Sequence, residues 1–279
     1  MSRAMGIITE PLAYEFMQRA LLAGIAVAAV CAVIGVFIVQ RGLAFLGDGL
    51  AHAAFGGIAI GLFMGASVEH AVWIAIPFTA VIALGIGYVL RRTALRGDVA
   101  TGVFFSFSFA LGVLFLGLRT AADRPVQVEH LLFGNMLSVT PTVLSVVVGV
   151  AVLACIVTLL LWSRLAYAIF DPELAAISGV PVGVLEYLLL AETAVVVVVA
   201  VKTVGVVLVS SFVVIPAATA RLVGTSLGGA TILALVISTI GAAVGLIASY
   251  HLNTPAAATI ILIHSAGFAG AFAWSHLRR

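Results

Sequence analysis

Charge is what this sequence has least of. Only 9% of its 279 residues are Asp, Glu, Lys or Arg, against about a quarter in a soluble globular domain. That scarcity excludes a soluble globule, whose surface needs charge to stay in water. Lysine is almost absent, with Lys202 the only one, so the net charge of +2 comes from scattered arginines. Without a basic face, a nucleic-acid-binding role is excluded as well. Cysteine is limited to Cys31 and Cys155, both inside apolar runs, where they read as small core residues and not as a disulfide framework or a paired-cysteine metal motif. No serine nucleophile elbow or HExxH occurs. Lys202-Thr203 looks like the end of a phosphate-binding loop, but residues 195–201 hold no glycine. Catalysis by this chain alone is not expected. Near the start stand Arg3, Glu10 and Glu15, with no basic stretch leading into a short apolar one. No removable signal peptide is expected, and residues 9–17 suit a segment lying on a membrane interface.

Apolar residues fill the space that charge leaves. They make up 63% of the chain, and the mean hydropathy is +1.30. Runs of about 20 such residues cross the roughly 30 Å of a bilayer core as helices. Eight runs stand out, near 19–40, 43–66, 70–90, 99–118, 142–162, 186–207, 228–250 and 256–276. A shorter ninth, near 209–224, contains Pro216 and Arg221 and reads as a full span, a broken one or a re-entrant piece. The fold class is therefore all-α, a polytopic membrane bundle of eight or nine helices, in one domain over residues 1–279. With nine crossings and an external N-terminus, Arg41, Arg91, Arg92, Arg96, Arg164, Arg221, Arg278 and Arg279 lie inside, against Arg3, Arg19, Arg119 and Arg124 outside. The positive-inside rule favours that orientation, with the C-terminus in the cytoplasm. Glycines at 57, 61 and 65, and at 241 and 245, repeat every fourth residue and read as close helix packing.

Polar groups inside such runs are costly and therefore informative. Asp48 and His52 are one helical turn apart near the start of the second run, on a single face. A carboxylate and an imidazole so placed are donors for a borderline divalent cation. Two ligands leave a tetrahedral shell half filled, and a two-fold dimer bringing the helix to its axis would complete it. An internal Asp-His hydrogen bond explains the spacing equally well. Glu192 and Lys202 share a run ten residues apart, about 15 Å of rise, too far to pair directly, so each needs a partner on another helix. They read as buried structural groups or, with His251 and His264, as groups on a cation pathway. Glu129 with His130, and Glu69 with His70, read as solvated pairs in outer connections. Between two runs, Asp171-Pro172-Glu173 is an N-cap followed by residues suited to a first turn, and Gly179 with Pro181 stops the helix. A short capped helix outside the bilayer either docks a soluble partner or covers the bundle end.

Several blocks, in order, resemble one known family. They are Gln40-Arg41-Gly42-Leu43-Ala44-Phe45-Leu46-Gly47-Asp48 continuing through His52 to Gly57, Gly97-Asp98-Val99-Ala100-Thr101-Gly102 with Phe104-Phe105-Ser106, and His130-Leu131-Leu132-Phe133-Gly134-Asn135. Phe170-Asp171-Pro172-Glu173 follows, then Lys202-Thr203-Val204-Gly205 running to Ile215-Pro216-Ala217-Ala218-Thr219-Ala220-Arg221. From about residue 15 to 275 the chain is similar to the membrane permeases of bacterial ABC importers for zinc, manganese and iron. The resemblance implies a type II importer-like permease in the bacterial inner membrane, working as a homodimer with two cytoplasmic ATPase subunits. An extracytoplasmic solute-binding protein would deliver a transported divalent ion, and no cofactor would be permanently bound. Carried over by position, Asp48 and His52 match the metal-contacting pair of the second helix. The segment 171–185, with Asp171, Pro172, Glu173, Leu174, Ala175 and Ser178, matches the coupling helix that enters a groove of the ATPase. Family members usually carry Ser or Ala where Gly49 and Ala51 stand, and Glu192 matches no family position. The competing readings are a secondary carrier using Glu192, Lys202 and the histidines as a relay, and a scaffold that transports nothing.

Overall fold

The computed structural model describes residues 10–119, 134 and 136–277. Arg3, Thr9, Arg124, Glu129, His130, residues 131–133, Asn135, Arg278 and Arg279 lie outside that set. Among the described residues there is no strand, and nine helices are long and apolar enough to cross a membrane. In chain order they are α1 (Glu15–Gln40), α2 (Leu46–Phe63), α3 (Val68–Arg92), α4 (Gly97–Gly117) and α5 (Pro141–Leu160). Two short helices follow, α6 (Trp162–Phe170) and α7 (Pro172–Ile177). The remaining spans are α8 (Val182–Val204), α9 (Val206–Val223), α10 (Leu227–Leu252) and α11 (Ala256–Leu277).

Lipid offers the backbone no hydrogen bonds, so helix ends must be satisfied by the chain itself. Ser67 caps α3 by accepting from the His70 amide at 3.4 Å, and Thr140 caps α5 from Val143 at 3.3 Å, with Pro141 opening the first turn. Ser226 does the same for α10 from Gly229 at 3.1 Å, and Asn253 ends that helix in the left-handed conformation.

The doubtful ninth segment is a complete helix, α9, which holds Pro216 in its interior. Its start corrects the run near 186–207, which crosses a helix boundary. Gly205 sits at φ 84° and ψ 163°, a conformation costly for any residue with a β-carbon, and it breaks the chain between α8 and α9. Val204 and Val206 on either side are fully buried. Gly134 lies directly against the backbone of Val204 and Gly205, so the elbow is roofed by protein. The run near 186–207 also starts late, since α8 begins at Val182.

One apolar core runs from Met17 in α1 to Ile260 in α11. Helices α1 and α2 are the most enclosed, and α4, α5 and α11 expose most of their surface, as expected of helices facing lipid or a second subunit. α1 packs against α5, α9 and α10, α2 against α3, α4 and α9, and α11 covers α9 and α10. The glycine spacing is confirmed in part. A β-carbon at Gly57 or Gly61 would meet Ala75 or Ala71 of α3 within 3 Å, and one at Gly241 or Gly245 would meet His264 or Ile260 of α11. Gly65 is different, because it lies past the end of α2 at φ 85° with nothing within 4 Å, and it terminates the helix instead of packing it.

Candidate metal site and coupling segment

Small residues on α2 bring three neighbours against it and leave one side for Asp48 and His52. Gly57 and Gly61 face α3, Gly49 faces Thr101 of α4, Gly56 faces the Ser108 carbonyl, and Gly47 faces Val213 of α9. Asp48 and His52 lie one turn apart on α2, and their side chains keep 39% and 18% of their surface accessible. In the N-terminal turn of α2, the Asp48 carboxylate is also favoured by the helix dipole.

The two side chains do not use each other up. His52 Nδ1 lies 3.0 Å from the Asp48 backbone oxygen and 3.6 Å from the nearer carboxylate oxygen. A carbonyl oxygen only accepts, so Nδ1 carries the proton in this contact, which leaves Nε2 as the ring nitrogen that can offer a lone pair. The ring is held by aromatic neighbours on α4. Phe105 meets it edge-on at 4.4 Å between centroids and Phe109 at 5.6 Å, and these two rings are themselves parallel at 6.2 Å. These ring contacts fix the orientation of the imidazole. Sequence reasoning missed Phe105 and Phe109 as partners of the site, although Phe105 stands inside one of the recognised blocks. Among the described residues of one chain, no three His, Cys, Asp or Glu side chains converge as a metal cage.

The pathway candidates are scattered. Glu192, midway along α8, accepts a 2.7 Å hydrogen bond from Thr158 Oγ1 of α5, which supplies the inter-helix partner expected for it. Lys202 lies half-buried in the last turn of α8, just before the Gly205 elbow. His251 is exposed at the end of α10, perpendicular to the Tyr250 ring. His264 is buried between α10 and α11, with its ring edge-on to Phe212 of α9 at 5.5 Å.

At the other candidate region, Asp171 Oδ1 accepts from the Leu174 amide at 2.9 Å, Pro172 fills the first position, and Glu173 lies in the first turn. Ala175 is buried beneath the helix, and Gly179 leaves it at φ 80°. Ser178 Oγ meets Tyr167 Oη at 2.9 Å, tying the end of α7 back to α6. Phe170 at the end of α6, and Leu174 and Ile177 of α7, remain exposed, apolar residues on two helices too short to span. The preference of Phe170 and Ile177 for the surface was not readable beforehand, since each resembles any apolar residue of the neighbouring runs.

Nine apolar helices among the described residues, with a capped short helix between two of them, make the frame of a polytopic membrane protein. The description of the ABC 3 transport family matches residues 13–275, and the chain belongs to that family. It is 38% identical over 266 residues to the manganese transport system membrane protein MntC of Halalkalibacterium halodurans, covering 95% of this chain and 89% of the relative. It is 30% identical over 278 residues to the chelated iron transport system membrane protein YfeD of Yersinia pestis, covering 100% and 92%. Among solved structures it is similar to PsaBC from Streptococcus pneumoniae in complex with Fab, at a TM-score of 0.82 and 29% identity over 96% of this chain and 95% of that one. The protein is thus a multi-pass membrane permease of a metal ABC transporter, and ATP hydrolysis belongs to a separate subunit. The secondary-carrier and scaffold readings give way to it.

Proposed function

We propose that the chain, acting over residues 1–279 as one permease domain, imports Mn²⁺ through a homodimer whose two-fold axis lies beside Asp48 and His52. The accessible carboxylate of Asp48 and the Nε2 of His52, left over by the Nδ1 contact, carry this reading. Two copies supply two carboxylates and two imidazoles, a donor set suited to Mn²⁺ or Fe²⁺. The names of MntC and YfeD support those ions, and zinc is the remaining member of the class. A bare divalent ion cannot enter hydrocarbon, so such a site must open in turn to an extracytoplasmic binding protein and to the cytoplasm. ATP-driven closure of the ATPases, received by Phe170, Leu174 and Ile177 around the Asp171 cap, biases the two states. The arginine distribution supports an external N-terminus and an internal C-terminus.

The test is metal accumulation in cells expressing the permease with its ATPase and binding protein, on a manganese, iron and zinc panel. Manganese accumulation is expected in the wild type and is expected to vanish in Asp48→Ala and His52→Ala while ATPase association persists. Normal accumulation in both variants would overturn the site. Accumulation of iron or zinc alone would overturn the choice of manganese.

A further inference from the structure

Three charges from three spans meet at one end of the bundle. The Glu186 carboxylate accepts Arg41 Nη2 at 2.9 Å on one oxygen and lies 3.6 Å from Arg91 Nη1 on the other. Arg41 is the C-cap of α1, Arg91 is in the last turn of α3, and Glu186 is in the second turn of α8. The two cations therefore have the sign that a helix C-terminus favours. The tight pair is also shielded, with the Arg41 and Glu186 side chains 17% and 18% exposed and Arg91 44% exposed. Gly183 makes the approach possible, because a β-carbon there would run into the Arg91 guanidinium. The same guanidinium lies 5.8 Å from the Tyr187 ring.

The position of this cluster gives it a mechanical meaning. Only residues 178–181 separate α7 from α8, and they are folded tightly, with Gly179 N donating to Ala176 O at 3.1 Å and Val180 N to Ala175 O at 2.9 Å. A displacement of α7 therefore reaches Glu186 with little slack. From Glu186 two routes lead to the candidate metal site. Arg41 begins the short turn that enters α2 at Leu46, two residues before Asp48. Arg91 is in the last turn of α3, whose first turns lie against α2 at the Gly57–Ala75 and Gly61–Ala71 contacts. Arg221, near the end of α9, donates to the Val39 carbonyl at 3.2 Å and fastens the same end of α1 to a third neighbour of α2.

We propose that Glu186, clamped by Arg41 and Arg91, is the joint that transmits movement of the α7 segment to α2, and hence a positioning residue for transport. A carboxylate shared by two guanidiniums holds three helix ends in register while letting them pivot, which a packed apolar contact would not. This inference rests on the permease reading above, since it needs an ATPase acting on α7. It adds to that reading the residues through which the stroke passes.

The experiment uses the permease assembled with its ATPase in proteoliposomes supplied with its binding protein, with Mn²⁺ uptake and phosphate release measured on the same sample. ATP-dependent uptake by the wild type establishes the reading underneath, and its absence would overturn that reading instead of the joint. For Glu186→Gln and for Arg41→Gln, ATP hydrolysis is expected to continue while Mn²⁺ moved per ATP falls about tenfold. The double variant Arg41→Gln with Glu186→Gln is expected to fall no further than Glu186→Gln alone, since both changes break the same pair. An unchanged ratio in Glu186→Gln, or losses that multiply in the double variant, would overturn the proposal. Arg91→Gln leaves the tight pair intact and keeps the test decisive where Glu186→Gln fails to assemble. Its ratio is expected to fall about threefold, and a wild-type ratio in Arg91→Gln would overturn the joint.

Discussion

Adding one methyl group to α2 at Gly57 should disable the protein without touching a polar residue. An ideal β-carbon there would lie 2.6 Å from the Ala75 α-carbon and 3.0 Å from its β-carbon. Carbon atoms rest at about 3.5–4.0 Å, so α2 and α3 must part by roughly 1 Å. Ala75 is fully buried and the clash is with its backbone, so no flexible side chain can absorb the change. Overpacking of this kind costs about 1–3 kcal/mol, or several degrees in Tm for a chain of this size. The functional effect should exceed the stability effect. A metal–ligand distance tolerates only about 0.2 Å, so a shift of roughly 1 Å in α2 would misplace Asp48 and His52 although both remain present. The assay is Tm of the purified permease alongside metal accumulation, with Gly102→Ala as the control, since nothing lies within 4 Å of a β-carbon at Gly102. Gly57→Ala is expected to lower Tm by about 5 °C and to abolish accumulation. Gly57→Ala behaving like Gly102→Ala would refute the close-packing argument.

Other perturbations separate the roles assigned to neighbouring groups. Phe105→Ala removes the ring that meets His52 at 4.4 Å. It should weaken metal binding about 10- to 100-fold by metal titration, the usual cost of losing an outer-shell contact, with unchanged affinity as the contrary result. Asp171→Ala deletes the cap bond to Leu174, worth about 1 kcal/mol to a helix of six residues. Its ATPase association should weaken in a pull-down while Tm of the bundle barely moves. Thr158→Val strands the Glu192 carboxylate beside α5 and should cost about 1–3 kcal/mol in thermal melting. Thr158→Ser, which keeps the hydroxyl, should melt near the wild type.

What could be read from the sequence divides along physical lines. Span count and the capped α7 rest on local patterns, hydropathy and capping residues, and those patterns hold. Gly205 escaped notice because the chain stays apolar through it, and hydropathy does not record the sign of φ. Gly65 fits the four-residue spacing of Gly57 and Gly61 yet ends a helix, since spacing alone cannot tell a packing glycine from a terminating one. Thr158 as the partner of Glu192 and Glu186 as the partner of Arg41 are invisible for another reason. The members of those pairs stand 34 and 145 residues apart in the chain, and only the packing of helices brings them together. Arg41 and Arg91 counted beforehand merely as votes for orientation. Asp48 and His52 were visible as a pair, but which oxygen of Asp48 receives the imidazole proton needed coordinates.

Manganese binding to the purified permease bears most directly on the role of Asp48 and His52. Titration with Mn²⁺, followed by the loss of the free-ion paramagnetic resonance signal, gives both affinity and stoichiometry. One ion per two chains, lost in Asp48→Ala and in His52→Ala, is the expected outcome of a site built on a two-fold axis. One ion per chain, retained in both variants, would contradict it.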